Sequence, residues 1–134
     1  WSSDVCSSDL GSPRPIDRSL VPYAVFGHPQ IASVGATEEE LTAQGTPHLV
    51  SIRDYASTAY GWAMEDTSGF VKLLADPDSR LLLGAHILGP QAPTLIQQLI
   101  TGMAAGLTVD RMARGQLYIH PAMPEVVEQA LLGF

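Results

Sequence analysis

Apolar side chains recur at Ala92, Leu95, Ile96, Leu99, Ile100, Met103, Ala104 and Leu107. This i, i+3, i+4, i+7 spacing puts them on one face of a helix. The opposite face carries Thr94, Gln97, Gln98, Thr101, Gly102, Ala105 and Gly106, and no Asp, Glu, Lys or Arg occurs between Arg80 and Asp110. A surface helix normally carries charge on its wet face. A helix without it is expected to be buried on both sides, by its own sheet and by a second surface. A membrane span is the competing reading. Gly89-Pro90, Pro93 and three glutamines interrupt the segment before about 18 unbroken apolar residues accumulate. A subunit interface is therefore expected over 92–107.

Elsewhere the pattern predicts strands around this helix. Tyr23 to Phe26 is a short apolar run, broken by His28-Pro29 and resumed at Ile31 to Val34. Thr37 followed by three glutamates and Leu41 opens a helix: Thr37 is an N-cap, Glu40 completes a capping box, and Gly45 with Pro47 ends it. Residues 48–55 alternate as a strand, and 56–66 read as a loop with a helical turn. Residues 70–76 and 81–88 flank Pro77-Asp78-Ser79 and form a hairpin. Its second strand is apolar on both faces and should lie centrally, covered on both sides. Thr108 or Asp110 caps a short helix ending at Gly115, and a last helix starts near Pro124. The order β, β, α, β, β-hairpin, α, α, α implies an α+β fold, an antiparallel sheet with helices packed on it.

The length, 134 residues with 46% hydrophobic and 16% charged positions, accommodates one domain. The net charge of −7 argues against a nucleic-acid partner. Residues 1–10, WSSDVCSSDL, show no element pattern and no signal-peptide features. They resemble a translated sequencing-adapter oligonucleotide and are read as an assembly artefact. Asp4 and Asp9 are two of the fourteen acidic residues, so without them the net charge is −5. The only cysteine, Cys6, lies in the same stretch, so no disulfide framework or thiolate metal site is expected. Residues 11–22, with three prolines, read as a linker, and 23–134 as the domain.

There is no Gly-rich nucleotide fingerprint, phosphate loop, nucleophile elbow or zinc-helix motif. Four histidines remain. His28 sits in a turn, His48 starts a strand and His86 lies in an apolar strand; for these a structural role is expected, and no metal spacing links them. His120 differs because Pro121 follows it and Glu125 lies within reach. A carboxylate on one imidazole nitrogen fixes the tautomer, aims the other nitrogen and favours the charged form. The pair reads as a general acid/base, or as a helix-capping or surface pair.

Three motifs in order carry a resemblance. They are Phe26-Gly-His-Pro-Gln-Ile-Ala-Ser-Val-Gly35 with Thr37-Glu38; Gly69-Phe-Val-Lys72 with Leu83-Gly-Ala-His-Ile-Leu-Gly89; and His120-Pro121 with Glu125. From Val21 to Phe134 the chain resembles the C-terminal dimerisation domain of the FAD-dependent pyridine nucleotide–disulfide oxidoreductases. Residues 60–66, 95–100, 112–116 and 119–128 resemble one disulfide-reductase branch of that family more than its lipoamide, glutathione or mercuric branches.

The resemblance implies a dimerisation domain of the glutathione reductase and lipoamide dehydrogenase type. It would follow FAD- and NADPH-binding domains that this chain lacks. NADPH and FAD would reduce a disulfide on one subunit, and one of its thiolates would attack a low-molecular-weight disulfide. His120 of the other subunit would protonate the departing thiol, with Glu125 orienting it. Backbone at His120 and Pro121 would touch the partner's flavin. The homodimer would form through 92–107 and the C-terminal segment. No membrane contact, a cytoplasmic location and no FAD or NADPH bound to this chain alone are expected. The alternatives are a lipoamide-type substrate within the same family and a stand-alone, non-catalytic dimerising module.

Overall fold

The computed structural model describes residues 17–134. The adapter-like stretch 1–10 and residues 11–16 of the expected linker lie outside the described residues. The rest of that linker is part of the fold. Asp17 caps a 3-10 turn, Arg18–Leu20, by accepting from the Ser19 amide, and the turn packs against the first long strand and the long helix.

The strands are β1 (Tyr23–Val25), β2 (Ile31–Gly35), β3 (Leu49–Asp54), β4 (Phe70–Ala75) and β5 (Leu82–Leu88). The helices are α1 (Glu38–Ala43), α2 (Ala59–Ala63), α3 (Ala92–Ala104), α4 (Val109–Arg114) and α5 (Pro124–Leu131). Their starts follow the expected chemistry. Thr37 and Glu40 form a reciprocal capping box on α1, and the Thr108 hydroxyl accepts from the Arg111 amide at 3.2 Å on α4. Pro124 is the first residue of α5, where a missing N–H costs nothing.

All five strands pair antiparallel in the order β1-β2-β5-β4-β3, so the apolar β5 is central as expected. Alternation sends Ala85 and Ile87 of β5, Val71 and Leu73 of β4, and Ala32 and Val34 of β2 to one face. There they meet Leu95, Ile96 and Leu99 of α3, Val109 and Met112 of α4, and Val126, Val127 and Leu131 of α5, forming the core. The expected cover on both sides of β5 is only partial on the second face: Leu83, His86 and Leu88 are half-buried, and no residue of β5 is exposed. On the second face Ser33, His86 and Lys72 stand in one cross-strand row. Among the described residues α1 lies over this face, where Glu38 pairs with Lys72; Ile31, Val50 and Ile52 are exposed. An apolar run on β5 therefore marks its central place, while the polar row through His86 and its neighbours Ser33 and Lys72 lies on a face that is left partly open.

Two glycines of the second motif have structural causes. A Cβ on Gly84 would lie 2.0 Å from the Ala36 carbonyl oxygen, so only glycine lets β5 pass under the β2–α1 turn. Gly89 sits at φ +132° against the fully buried Tyr55 ring, whose hydroxyl donates to the Pro90 carbonyl at 3.1 Å. No helix among the described residues is long and apolar enough to cross a membrane.

Candidate active site

The segment 116–123 joins α4 to α5. Leu117 is 99% exposed and Ile119 77%, while Tyr118 between them is half-buried. The His120–Pro121 peptide is cis. Glu125 is the second residue of α5, in the first turn, where the exposed N–H groups favour negative charge. Its two oxygens are both engaged: Oε1 accepts from His120 Nδ1 at 2.7 Å and Oε2 from the Ala122 amide at 3.0 Å. The hydrogen bond from His120 holds the Glu125 carboxyl below the usual carboxylate range; burial opposes it, and the Ala122 amide and the His120 charge add to the lowering.

The electrostatics assign the tautomer. An ionised carboxylate can only accept, so Nδ1 carries the hydrogen. In the neutral ring the lone pair is then at Nε2, which has no hydrogen-bond partner among the described residues. The His120 side chain is 69% exposed and that of Glu125 only 12%. One nitrogen is locked and the other is presented outward. This geometry can take and return a proton at Nε2.

The other histidines do not join it. Ser33 Oγ lies 2.6 Å from His86 Nδ1, and the Ala36 carbonyl 3.1 Å from Nε2. Both nitrogens are occupied, and burial pushes the imidazole below its ordinary value. His48 Nδ1 bonds to the Thr46 carbonyl at 2.8 Å, and His28 is exposed in its turn. Among the described residues no group of three or more His, Cys, Asp or Glu side chains could hold a metal. The expected pair therefore meets. The Ala122 amide, which holds the second Glu125 oxygen, was not expected, because a backbone donor leaves no mark on residue type.

The uncharged face of α3 lies on the outside. Thr94, Gln97, Thr101 and Ala105 are exposed, as is Gly106 just beyond. Gly102 departs from its expected place on this face. It is buried against the Met112 side chain, and a Cβ there would lie 2.4 Å from Met112 Cε. The covering surface expected on this face does not come from the described residues.

The pattern defined by the pyridine nucleotide-disulphide oxidoreductase dimerisation domain matches residues 21–131. The chain belongs to this family. A mycothione reductase of Mycobacterium tuberculosis is 61% identical over 117 residues, covering 87% of this chain and 26% of that protein. This is the branch that residues 60–66, 95–100, 112–116 and 119–128 resemble. Dihydrolipoyl dehydrogenase 2 of Haloarcula marismortui is more distant, at 36% identity over 90% of this chain and 25% of that protein. Among solved structures, the HOCl-induced flavoprotein disulfide reductase RclA of Escherichia coli superposes with a TM-score of 0.82 at 31% identity, covering 96% of this chain and 30% of that one. The chain thus spans about a quarter of the length of the curated relatives it matches. The fold is the α+β dimerisation domain expected from the three motifs.

Proposed function

We propose that this chain is the subunit-interface portion of an NADPH- and FAD-dependent reductase of a low-molecular-weight disulfide, with mycothione as substrate. The observation that carries the reading is the His120–Glu125 pair with Nε2 turned outward, in a chain 61% identical to a mycothione reductase.

The residues here fit contact with a flavin held elsewhere rather than a flavin site of their own. The sequence has no dinucleotide fingerprint, and His120 and Pro121 are exposed, open to a group carried by a second subunit. When bound, the flavin supplies the electron pair that opens the enzyme's own disulfide. The work of this chain is proton transfer. As an enzyme thiolate attacks the substrate disulfide, a new S–S bond forms, the old one breaks, and the departing sulfur takes a proton from His120 Nε2. That proton is the one the imidazole accepted at Nε2 beforehand, when it deprotonated the attacking thiol, so the ring ends neutral. Glu125 stabilises the charged ring and keeps Nδ1 from turning outward.

The uncharged outer face of α3 supports a homodimer built around this helix. Leu117 and Ile119, exposed just ahead of His120, would be covered by the second subunit, excluding water from the exchange. A lipoamide-type substrate is the second reading, supported by the 36% identical dihydrolipoyl dehydrogenase. A cytoplasmic location fits a nicotinamide-dependent reductase.

The test is turnover of the full-length enzyme on mycothione, lipoamide and glutathione disulfide, with NADPH and with NADH. The expected result is a yellow dimer whose kcat/KM with NADPH is highest for mycothione. Preference for lipoamide with NADH would move the assignment to the second reading; turnover of none of the three would overturn both.

A further inference from the structure

Tyr118 is half-buried, while its neighbours over 115–121 are exposed. Its phenolic O–H donates to the Met112 carbonyl at 3.1 Å. The Gln116 amide nitrogen donates to that same carbonyl at 3.2 Å and to the Tyr118 oxygen at 3.0 Å. Met112 lies in the last turn of α4, where carbonyls are left without intrahelical donors. Two side chains from the His120 segment thus close the end of α4. Burial pushes the Tyr118 phenol above its ordinary value, against the Gln116 hydrogen bond, so it remains a donor across the neutral range. The Met112 side chain is itself buried against Gly102 of α3. A continuous line of contacts therefore runs from the uncharged helix through Met112 to Tyr118, two residues before His120.

We propose that Tyr118 is a positioning residue for His120: its hydrogen bond to the Met112 carbonyl holds the segment so that Leu117 and Ile119 face outward and Nε2 is presented. The inference rests on His120 being the proton-transfer group. Glu125 fixes how the ring is turned, and Tyr118 fixes where its backbone sits. Packing alone would account for a buried aromatic ring. It would not account for a hydroxyl and a neighbouring amide sharing one helix-end carbonyl.

The test is Tyr118→Phe in the full-length enzyme, which removes only the hydroxyl. A group displaced by about 1 Å can cost on the order of a hundredfold in rate, and loosening one of two anchors is expected to lower kcat for disulfide reduction about tenfold. Flavin reduction by NADPH and the KM for the disulfide should stay within about twofold, and the pH dependence of kcat/KM should shift. Gln116→Ala added to Tyr118→Phe should cost more than Gln116→Ala alone, because the pair of changes leaves the Met112 carbonyl without either donor.

A second readout needs no turnover. Carbethoxylation of His120, followed by peptide mass, should change severalfold in rate in Tyr118→Phe, while that of His28 does not. Unchanged kcat and pH profile with unchanged His120 modification would overturn the proposal, as would an equal fall in flavin reduction. If no small disulfide is turned over by the wild type but His120 modification still changes, the positioning holds and the reductase reading fails.

Discussion

His86 and His120 each have an oxygen close to Nδ1, yet they stand in opposite settings. His86 lies in the central strand, half-buried, with Ser33 on one nitrogen and the Ala36 carbonyl on the other. His120 lies on an exposed segment, with Glu125 on one nitrogen and nothing among the described residues on the other. The first partner set is neutral and saturated, so the ring joins β2, β5 and the turn before α1. The second is charged and half-filled, so the ring is held at one end and available at the other. Having a partner does not make a histidine functional. What separates the two is the charge of the partner and the nitrogen left over.

Substitutions should separate the two sites in the same way. The largest effect is expected for His120→Ala in the full-length enzyme: disulfide turnover falls about 10²- to 10⁴-fold, the range for loss of a general acid/base. NADPH-to-flavin reduction, followed by stopped-flow absorbance, stays nearly intact. Glu125→Gln keeps the shape and removes the charge. Turnover is expected to fall about tenfold, since the imidazolium loses its counter-charge, with the loss seen in kcat.

Ser33→Ala should do the reverse. It leaves His86 Nδ1 without its partner, a loss of about 1–2 kcal/mol in chemical denaturation, with no change in turnover.

The smallest effect is in pH. Burial lowers the native His86 value below that of the unfolded chain, and Lys72 across the β4–β5 pair adds to this, against the Ala36 hydrogen bond and Glu40 on α1. A depressed native value means the neutral ring stabilises the fold above about pH 6.5, and that stabilisation is lost as pH falls through the native value. Glu125 is also depressed, so its contribution is full above about pH 4.5 and is lost only as pH falls through its own lower value. Denaturation curves taken from pH 8 to 3 should show the His86 loss first, and Ser33→Ala should alter that early limb alone.

Much of the fold was legible in the residues because local rules and tertiary packing agree. The Thr37–Glu40 box and the central β5 appear where the pattern placed them, and so does the apolar face of α3 from Ala92 to Leu99, although the helix ends at Ala104 and leaves Ala104 and Leu107 exposed. Periodicity reports which positions are apolar, not which surface covers them. The open part of the sheet could therefore not be told from a face covered within the chain, whereas the outer face of α3 was legible as a surface awaiting a partner because it lacks charge. Gly102 shows the same limit, since a glycine on a polar stripe gives no sign that Met112 lies on it. His120 and Glu125 were legible from their spacing and from the family motif. The Tyr118–Gln116–Met112 contacts were not, because they join a side chain to a helix-end carbonyl six residues back.

The central claim is that His120 serves the active site of the other subunit. It is tested most directly by mixing two inactive full-length variants, His120→Ala and a variant lacking the attacking cysteine, and letting their subunits exchange. If His120 acts across the interface, each mixed dimer contains one site with both groups, and activity returns to about half that of the wild type per mixed dimer. If mixed dimers form, as shown by mass, and activity does not return, His120 does not act in trans and the account is contradicted.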